Sequence, residues 1–254
     1  MKRSICAAFL VLCCSLLLLN PPASTAAERP SSKKEKIKPV PVERVPSWAT
    51  TLTLPNTDVV IDVGHGGIDG GTSYGDLLEK DVNLQVGLKV FDLLIHSGVR
   101  TAINRTSDYA PSDDNDWLGS RSRHLRDLSQ RKLLAEALRP KLVVSLHTNW
   151  AKRASRSGST VLFQMNPQSH AAAHLIQHRL NGLYGKGEIP YLGKPFYLLN
   201  HSPCPAVIVE MGFISNASDR EWLTQPAKQH KMAEAIASAI REYLIAFSSQ
   251  PSKY

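Results

Sequence analysis

Between residues 58 and 247, short β-branched runs alternate with longer stretches of helical periodicity, and this alternation leaves the chain few architectures. "DVVIDV" (58–63) reads as a buried strand, "EKDVNLQVGLKVFDLLIHSG" (79–98) as a helix with Val82, Val86, Leu93 and Leu94 on one face, and "VRTAINR" (99–105) as a second strand. The pattern continues with a helix over 127–140 stopped by Pro140, strands over 141–147 and 158–165, a helix over 170–185, a strand over 205–212 and a helix over 220–247. The expected class is α/β, a mostly parallel sheet with helices on both faces. In such sheets ligands bind outside the carboxyl ends of the strands.

The 254 residues, 43 % hydrophobic and 20 % charged, suffice for one core-forming domain with appendages. Met1, Lys2 and Arg3 precede the apolar stretch "SICAAFLVLCCSLLLL", and "PPASTAAERP" then supplies breakers and small residues. Residues 1–27 therefore read as a secretory signal cut near Ala26 or Ala27, with an uncleaved anchor as the alternative. The apolar run continues past Cys13 and Cys14, which argues against lipid attachment there. Only Cys204 remains once the leader is removed, so no intramolecular disulfide can form and core packing or a metal must supply stability.

Residues 28–56, rich in Lys and Pro and without periodicity, read as a solvated linker. The domain proper is expected over 57–248, with a tail over 249–254. The net charge of +8 favours polyanions, and the basic linker is a candidate contact for anionic wall polymers. No nucleic-acid motif accompanies the charge. The expectation is an exported monomer in the periplasm or outer wall, touching membrane only if its leader is retained.

The polar residues fall where the sheet rule places ligands. In "VVIDVGHGGIDGG" (59–71), Asp62, Gly64 and His65 follow the first strand; His147 follows "LVVSL", Glu210 follows "PAVIV", and Glu79 opens the first helix. Two imidazoles and a carboxylate form a mixed N/O set suited to zinc with one coordination position left open, as catalytic sites require. Taken singly, His65 and His147 read as ordinary polar residues, and Glu79 also suits a helix N-terminus. The remaining histidines, His96, His124, His170, His174, His178, His201 and His230, fall on helix faces or in loops and read as solvated. Glu210 is harder to dismiss, because an acid after four apolar residues of a central strand is costly unless paired or metal-linked. The glycines lack both the G-x-G-x-x-G spacing and a P-loop lysine, which removes nucleotide binding.

"IDVGHGGIDGG", "EKDVNL", "NRTSD", "SLHTN" and "PAVIVEMGFISNASDREWL" stand in an order and spacing that resemble the zinc-dependent N-acetylmuramoyl-L-alanine amidases, the type 3 family of bacterial cell-wall hydrolases, over about residues 58–247. The resemblance implies a twisted, mostly parallel sheet, one Zn2+ held by His65, Glu79 and His147, and Glu210 as the catalytic acid. The implied substrate is peptidoglycan, cut between N-acetylmuramic acid and the L-alanine of the stem peptide.

Asp62 and Asp69 are candidates to orient the His65 ring, and Arg105 and Asp108 to fix loop geometry. Asn149 and Asn216 either bind substrate or cap turns. Val63 and Gly70 stand where the family usually has proline, which could loosen the loop. Residues 111–126 look like an inserted surface loop. Only 62 residues separate His147 from Glu210, too few for an additional self-blocking helix. The alternatives are another zinc-dependent wall peptidase or deacetylase, or a noncatalytic peptidoglycan-binding scaffold.

Overall fold

In the computed structural model, which describes residues 56–247, six of eight strands join in one sheet of order β4-β1-β5-β8-β6-β7. Their ranges are β1 Val59–Val63, β4 Thr101–Ile103, β5 Leu142–Asn149, β6 Thr160–Phe163, β7 Tyr191–Leu192 and β8 Ala206–Phe213. β2 (Ser73–Tyr74) and β3 (Leu77–Leu78) form a separate two-stranded ribbon. The signal, the linker up to residue 55 and the tail lie outside the described residues. Within the six-stranded sheet neighbouring strands are parallel except β6 and β8, which pair antiparallel, so that sheet is mostly parallel as expected. No helix of the described residues is long and apolar enough to cross a membrane.

The helices are α1 (Glu79–His96), α2 (Arg123–Leu138), α3 (Pro167–Tyr184), α4 (Tyr197–His201), α5 (Ala217–Thr224) and α6 (Pro226–Phe247). Side chains alternate across each strand. Val59, Ile61, Val63, Val144, Leu146, Val207, Val209 and Met211 join the residues of α1, α3 and α6 in the larger core. Val60, Val143, Ala206 and Ile208 face the other way, toward Ala135 of α2 and Leu198 and Leu199 of α4. By the same alternation Asp62, His147 and Glu210 belong to this second, thinly covered face.

Three sequence expectations need correction. The helix expected over 220–247 is two helices, because Pro226 supplies no N–H to a continuing turn; Gln225 is extended and α6 restarts at the proline. α2 begins four residues before its expected start because the Ser122 hydroxyl caps it, accepting from the Leu125 N–H at 3.2 Å. Residues 111–126 are not simply a surface loop. Pro111–Asp114 is a 3-10 turn with Pro111, Ser112 and Asn115 buried, Asn115 Nδ2 donates to the Arg126 carbonyl at 2.7 Å, and the first turn of α2 completes the segment. Between His147 and Glu210 lie β6, α3 and the short β7 and α4, and α4 spans only five residues.

Candidate metal centre

β1 ends in a backbone that only an unusual local sequence tolerates. His65 has φ 60°, a left-handed conformation uncommon outside glycine, and the backbone carbonyls around it accept hydrogen bonds from side chains. Two buried arginines supply these. Arg131 donates from Nη1 to the Val63 carbonyl at 2.8 Å and from Nη2 to the His65 carbonyl at 3.0 Å. Arg105 donates from Nη2 to the carbonyls of Gly64 at 3.0 Å and Lys80 at 2.8 Å, which ties the strand exit to the first turn of α1. Asp108 accepts from the Gly67 N–H at 2.7 Å and from Lys80 Nζ at 2.6 Å. Arg105 and Asp108 thus fix the loop, as the sequence suggested. The Val63 N–H, which a proline would lack, donates to Asn104 Oδ1 at 2.8 Å.

On this frame three side chains converge. His65 Nε2 lies 3.2 Å and His147 Nδ1 3.0 Å from the same oxygen, Oε1 of Glu79, and one donor atom from each residue falls within 4.8 Å of the other two. Two glycines make the approach possible: a Cβ on Gly64 would lie 2.5 Å from the His147 ring, and one on Gly71, at φ 66°, 2.5 Å from Glu79 Oε2. Glu79 is buried, and its carboxylate also accepts from the N–H groups of Thr148 at 3.0 Å and Thr72 at 2.8 Å and from Asn83 Nδ2 at 3.3 Å. Burial opposes its ionisation, but the hydrogen bonds from His147 and then His65 outweigh that and hold the carboxyl far below the usual carboxylate range.

Of the two aspartates proposed to orient His65, one touches the ring. Asp69 Oδ2 lies 3.1 Å from His65 Nδ1, on the side away from Glu79. Asp62 does not. Its oxygens are taken by Arg131 at 2.7 Å, Ser145 Oγ at 2.6 Å and Asn104 Nδ2 at 2.6 Å, so it reaches His65 only through Arg131 and the backbone. Sequence reasoning missed Arg131. Its signal was the helical stripe Asp127–Arg131–Ala135, where two charges share a face with a buried alanine, and Asp127 Oδ2 indeed accepts from Arg131 Nε at 2.6 Å.

Glu210 sits inside β8 in register with His147 of β5 on one side and Thr160 of β6 on the other. No hydrogen bond or ion pair to its carboxylate forms within the described residues. Burial pushes its carboxyl up to about 7, although His147 beside it works the other way.

All four groups line one cavity of about 510 Å3, which Trp150, Phe196, Tyr197, Leu198, His124 and Asp127 also line. Asn149 lies at this cavity after a register irregularity in the β5–β8 pairing, its Oδ1 accepting from the Trp150 N–H at 2.7 Å. Asn216 is elsewhere. It caps α5, accepting from the Asp219 N–H at 3.0 Å, and it donates to the Ala154 carbonyl at 2.7 Å. The inserted segment reaches the site through His124 and through Arg123, 3.6 Å from Asp69. Cys204 is a buried thiol whose pKa is raised by that burial, 3.9 Å from the Ala135 carbonyl.

Residues 59–242 match the N-acetylmuramoyl-L-alanine amidase family. The germination-specific N-acetylmuramoyl-L-alanine amidase of Bacillus subtilis (strain 168) is 32 % identical over 202 residues, which are 78 % of this chain and 84 % of that protein. The N-acetylmuramoyl-L-alanine amidase LytC of the same organism is 31 % identical over 188 residues, 73 % of this chain and 35 % of that longer protein. Among solved structures, the CwlD amidase from Clostridioides difficile, determined in complex with the GerS lipoprotein, superposes with a TM-score of 0.70 at 28 % identity, covering 75 % of this chain and 100 % of that one. The catalytic domain of CwlV, an N-acetylmuramoyl-L-alanine amidase from Bacillus (Paenibacillus) polymyxa var. colistinus, gives 0.63 at 29 % identity, covering 74 % and 98 %. With family, relatives and fold in agreement, the chain belongs to the N-acetylmuramoyl-L-alanine amidase family and is an enzyme of that class.

Proposed function

We propose that the protein is a zinc-dependent hydrolase acting outside the cytoplasm, which cleaves the amide between the lactyl group of N-acetylmuramic acid and the L-alanine of the stem peptide in peptidoglycan. The observation that carries this reading is the meeting of two imidazoles and an ionised carboxylate at the mouth of a cavity that also holds an unpaired acid. The donor set fits zinc: mixed N/O, three protein ligands, and open space on the cavity side. When bound by His65, Glu79 and His147, the ion supplies Lewis acidity for the scissile carbonyl and for water.

The chain's own residues do the rest. The Glu210 carboxylate accepts a proton from the attacking water and returns it to the departing amine nitrogen, a task suited to a carboxyl whose burial brings its pKa to about 7. Asp69 accepts from His65 Nδ1 and thereby presents Nε2 to the centre. Asn149, with Oδ1 engaged by the backbone, keeps its amide Nδ2 for a carbonyl of the bound glycopeptide. Trp150 and Phe196 give the glycopeptide an apolar wall.

Mass spectrometry of products from purified wall fragments, with and without a chelator, tests the proposal. New alanine amino termini with free lactyl carboxylates, lost on chelation and formed without an added activator, are expected. Cuts within the stem peptide or released acetate would instead identify a peptidase or deacetylase, and no product at all a binding scaffold.

A further inference from the structure

We propose that His170 and His174 form a second metal site, for a late first-row divalent ion, on the outer face of α3 and apart from the hydrolytic centre. "HAAAHLIQH" (170–178) places histidines at i, i+4 and i+8, one above another on a helix surface. All three are exposed, while Ala172, Ala173, Ile176 and Gln177 take the buried side. The helix beneath them is well anchored: Asn166 caps it, accepting from the Ser169 N–H at 2.7 Å, and Pro167 begins it.

The geometry of the pair points to chelation. The two Nε2 atoms are 3.1 Å apart. With an imidazole–metal bond of about 2.0–2.1 Å, donors at that separation subtend roughly 100° at a shared ion, an angle open to tetrahedral and tetragonal centres alike. The ring centroids are 4.4 Å apart with planes at 77°. The two nitrogens, paired by a hydrogen bond that an ion would replace, thus stand nearer to each other than the ring centroids do. Packing of the Phe163 ring against His170, centroids 4.8 Å apart, restrains one ligand in advance. His178, one turn further on, shares a surface hollow with His174 and Glu242 and offers a neighbouring donor.

The site is separate from the hydrolytic one. His170 packs on Phe163, which pairs with Val207, whereas Glu210 pairs with Thr160 at the opposite end of the same antiparallel ladder. Neutral imidazoles favour copper, nickel and zinc, with copper tightest in the usual divalent series.

Titration of the purified full chain with Cu2+, followed by calorimetry and by electron paramagnetic resonance, decides the matter. The wild type is expected to take one more Cu2+ per chain than H170A/H174A. H170A and H174A should each weaken that equivalent at least tenfold, and H96A, at a solitary exposed histidine, should leave it unchanged. Alanine suits an exposed helix position, so the variants are expected to fold. An equal Cu2+ count in H170A/H174A and wild type, or a weakening in H170A no greater than in H96A, would overturn the assignment.

Discussion

At the scale of single residues, the proposed function assigns holding an ion and handling a proton to different groups. Donor atoms of His65, Glu79 and His147 converge within 4.8 Å of one another, while Glu210 has no hydrogen-bond or ion-pair partner among the described residues and its carboxyl is pushed up to about 7 by burial. The two roles therefore respond differently to substitution. His147→Ala is expected to lose bound metal and turnover together. Glu210→Gln should retain metal and lower kcat by about 10²–10⁴, the usual contribution of a positioned general acid or base. Metal analysis alongside kinetics checks both, and a metal-free Glu210→Gln protein would place that carboxylate among the ligands instead. The meeting of His65, Glu79 and His147 was legible from their places at two strand exits and at the start of α1. The environment of Asp62 was not, because its partners Asn104, Arg131 and Ser145 lie 42, 69 and 83 residues away and nothing local announces them.

At the scale of elements, the strand exit of β1 is fastened from two sides, by Arg105 beyond β4 and by Arg131 on α2. Arg131 is buried between two buried acids, Asp62 and Asp127, and burial would lower its pKa were it not outweighed by these two. Removing the cation leaves two carboxylates uncompensated, so Arg131→Ala is expected to cost about 3–5 kcal/mol. Urea unfolding measures this, and a loss below 1 kcal/mol would show that water replaces the guanidinium. Element types were readable because β-branched runs and helical periodicity differ sharply in β1, α1 and β8. Their ends were less so, since Ser122 and Pro226 set boundaries through a single hydroxyl and a missing N–H. The antiparallel direction of β6 was illegible because its "TVLF" reads the same either way, and residues 111–126 concealed their burial because polar groups such as Asn115 are satisfied there by backbone.

At the scale of the whole molecule, Asp58 fastens three strands at the end of the sheet opposite the candidate metal centre. It accepts from Arg100 at 2.8 Å at the start of β4, lies 3.0 Å from Lys141 before β5, and itself precedes β1. The Arg100 hydrogen bond, with Lys141, outweighs burial and holds the Asp58 carboxyl at about 2. A pKa lowered in the folded state stabilises above the unfolded value and loses that stabilisation as pH falls. Wild type should therefore exceed Asp58→Asn by about 1 kcal/mol near pH 6, discounted because Arg100 is half in water, and the gap should close between pH 4 and pH 2. Chemical unfolding across that range checks the sign, and a gap that widens on acidification would contradict it.

Strand order has a temporal meaning as well. β8 is the last strand among the described residues yet lies in the middle of the sheet, between β5 and β6, and it carries Glu210 into register with His147. A polypeptide that ends before residue 206 therefore lacks the pairing of His147 with Glu210, and on the proposed mechanism it could not cut its substrate.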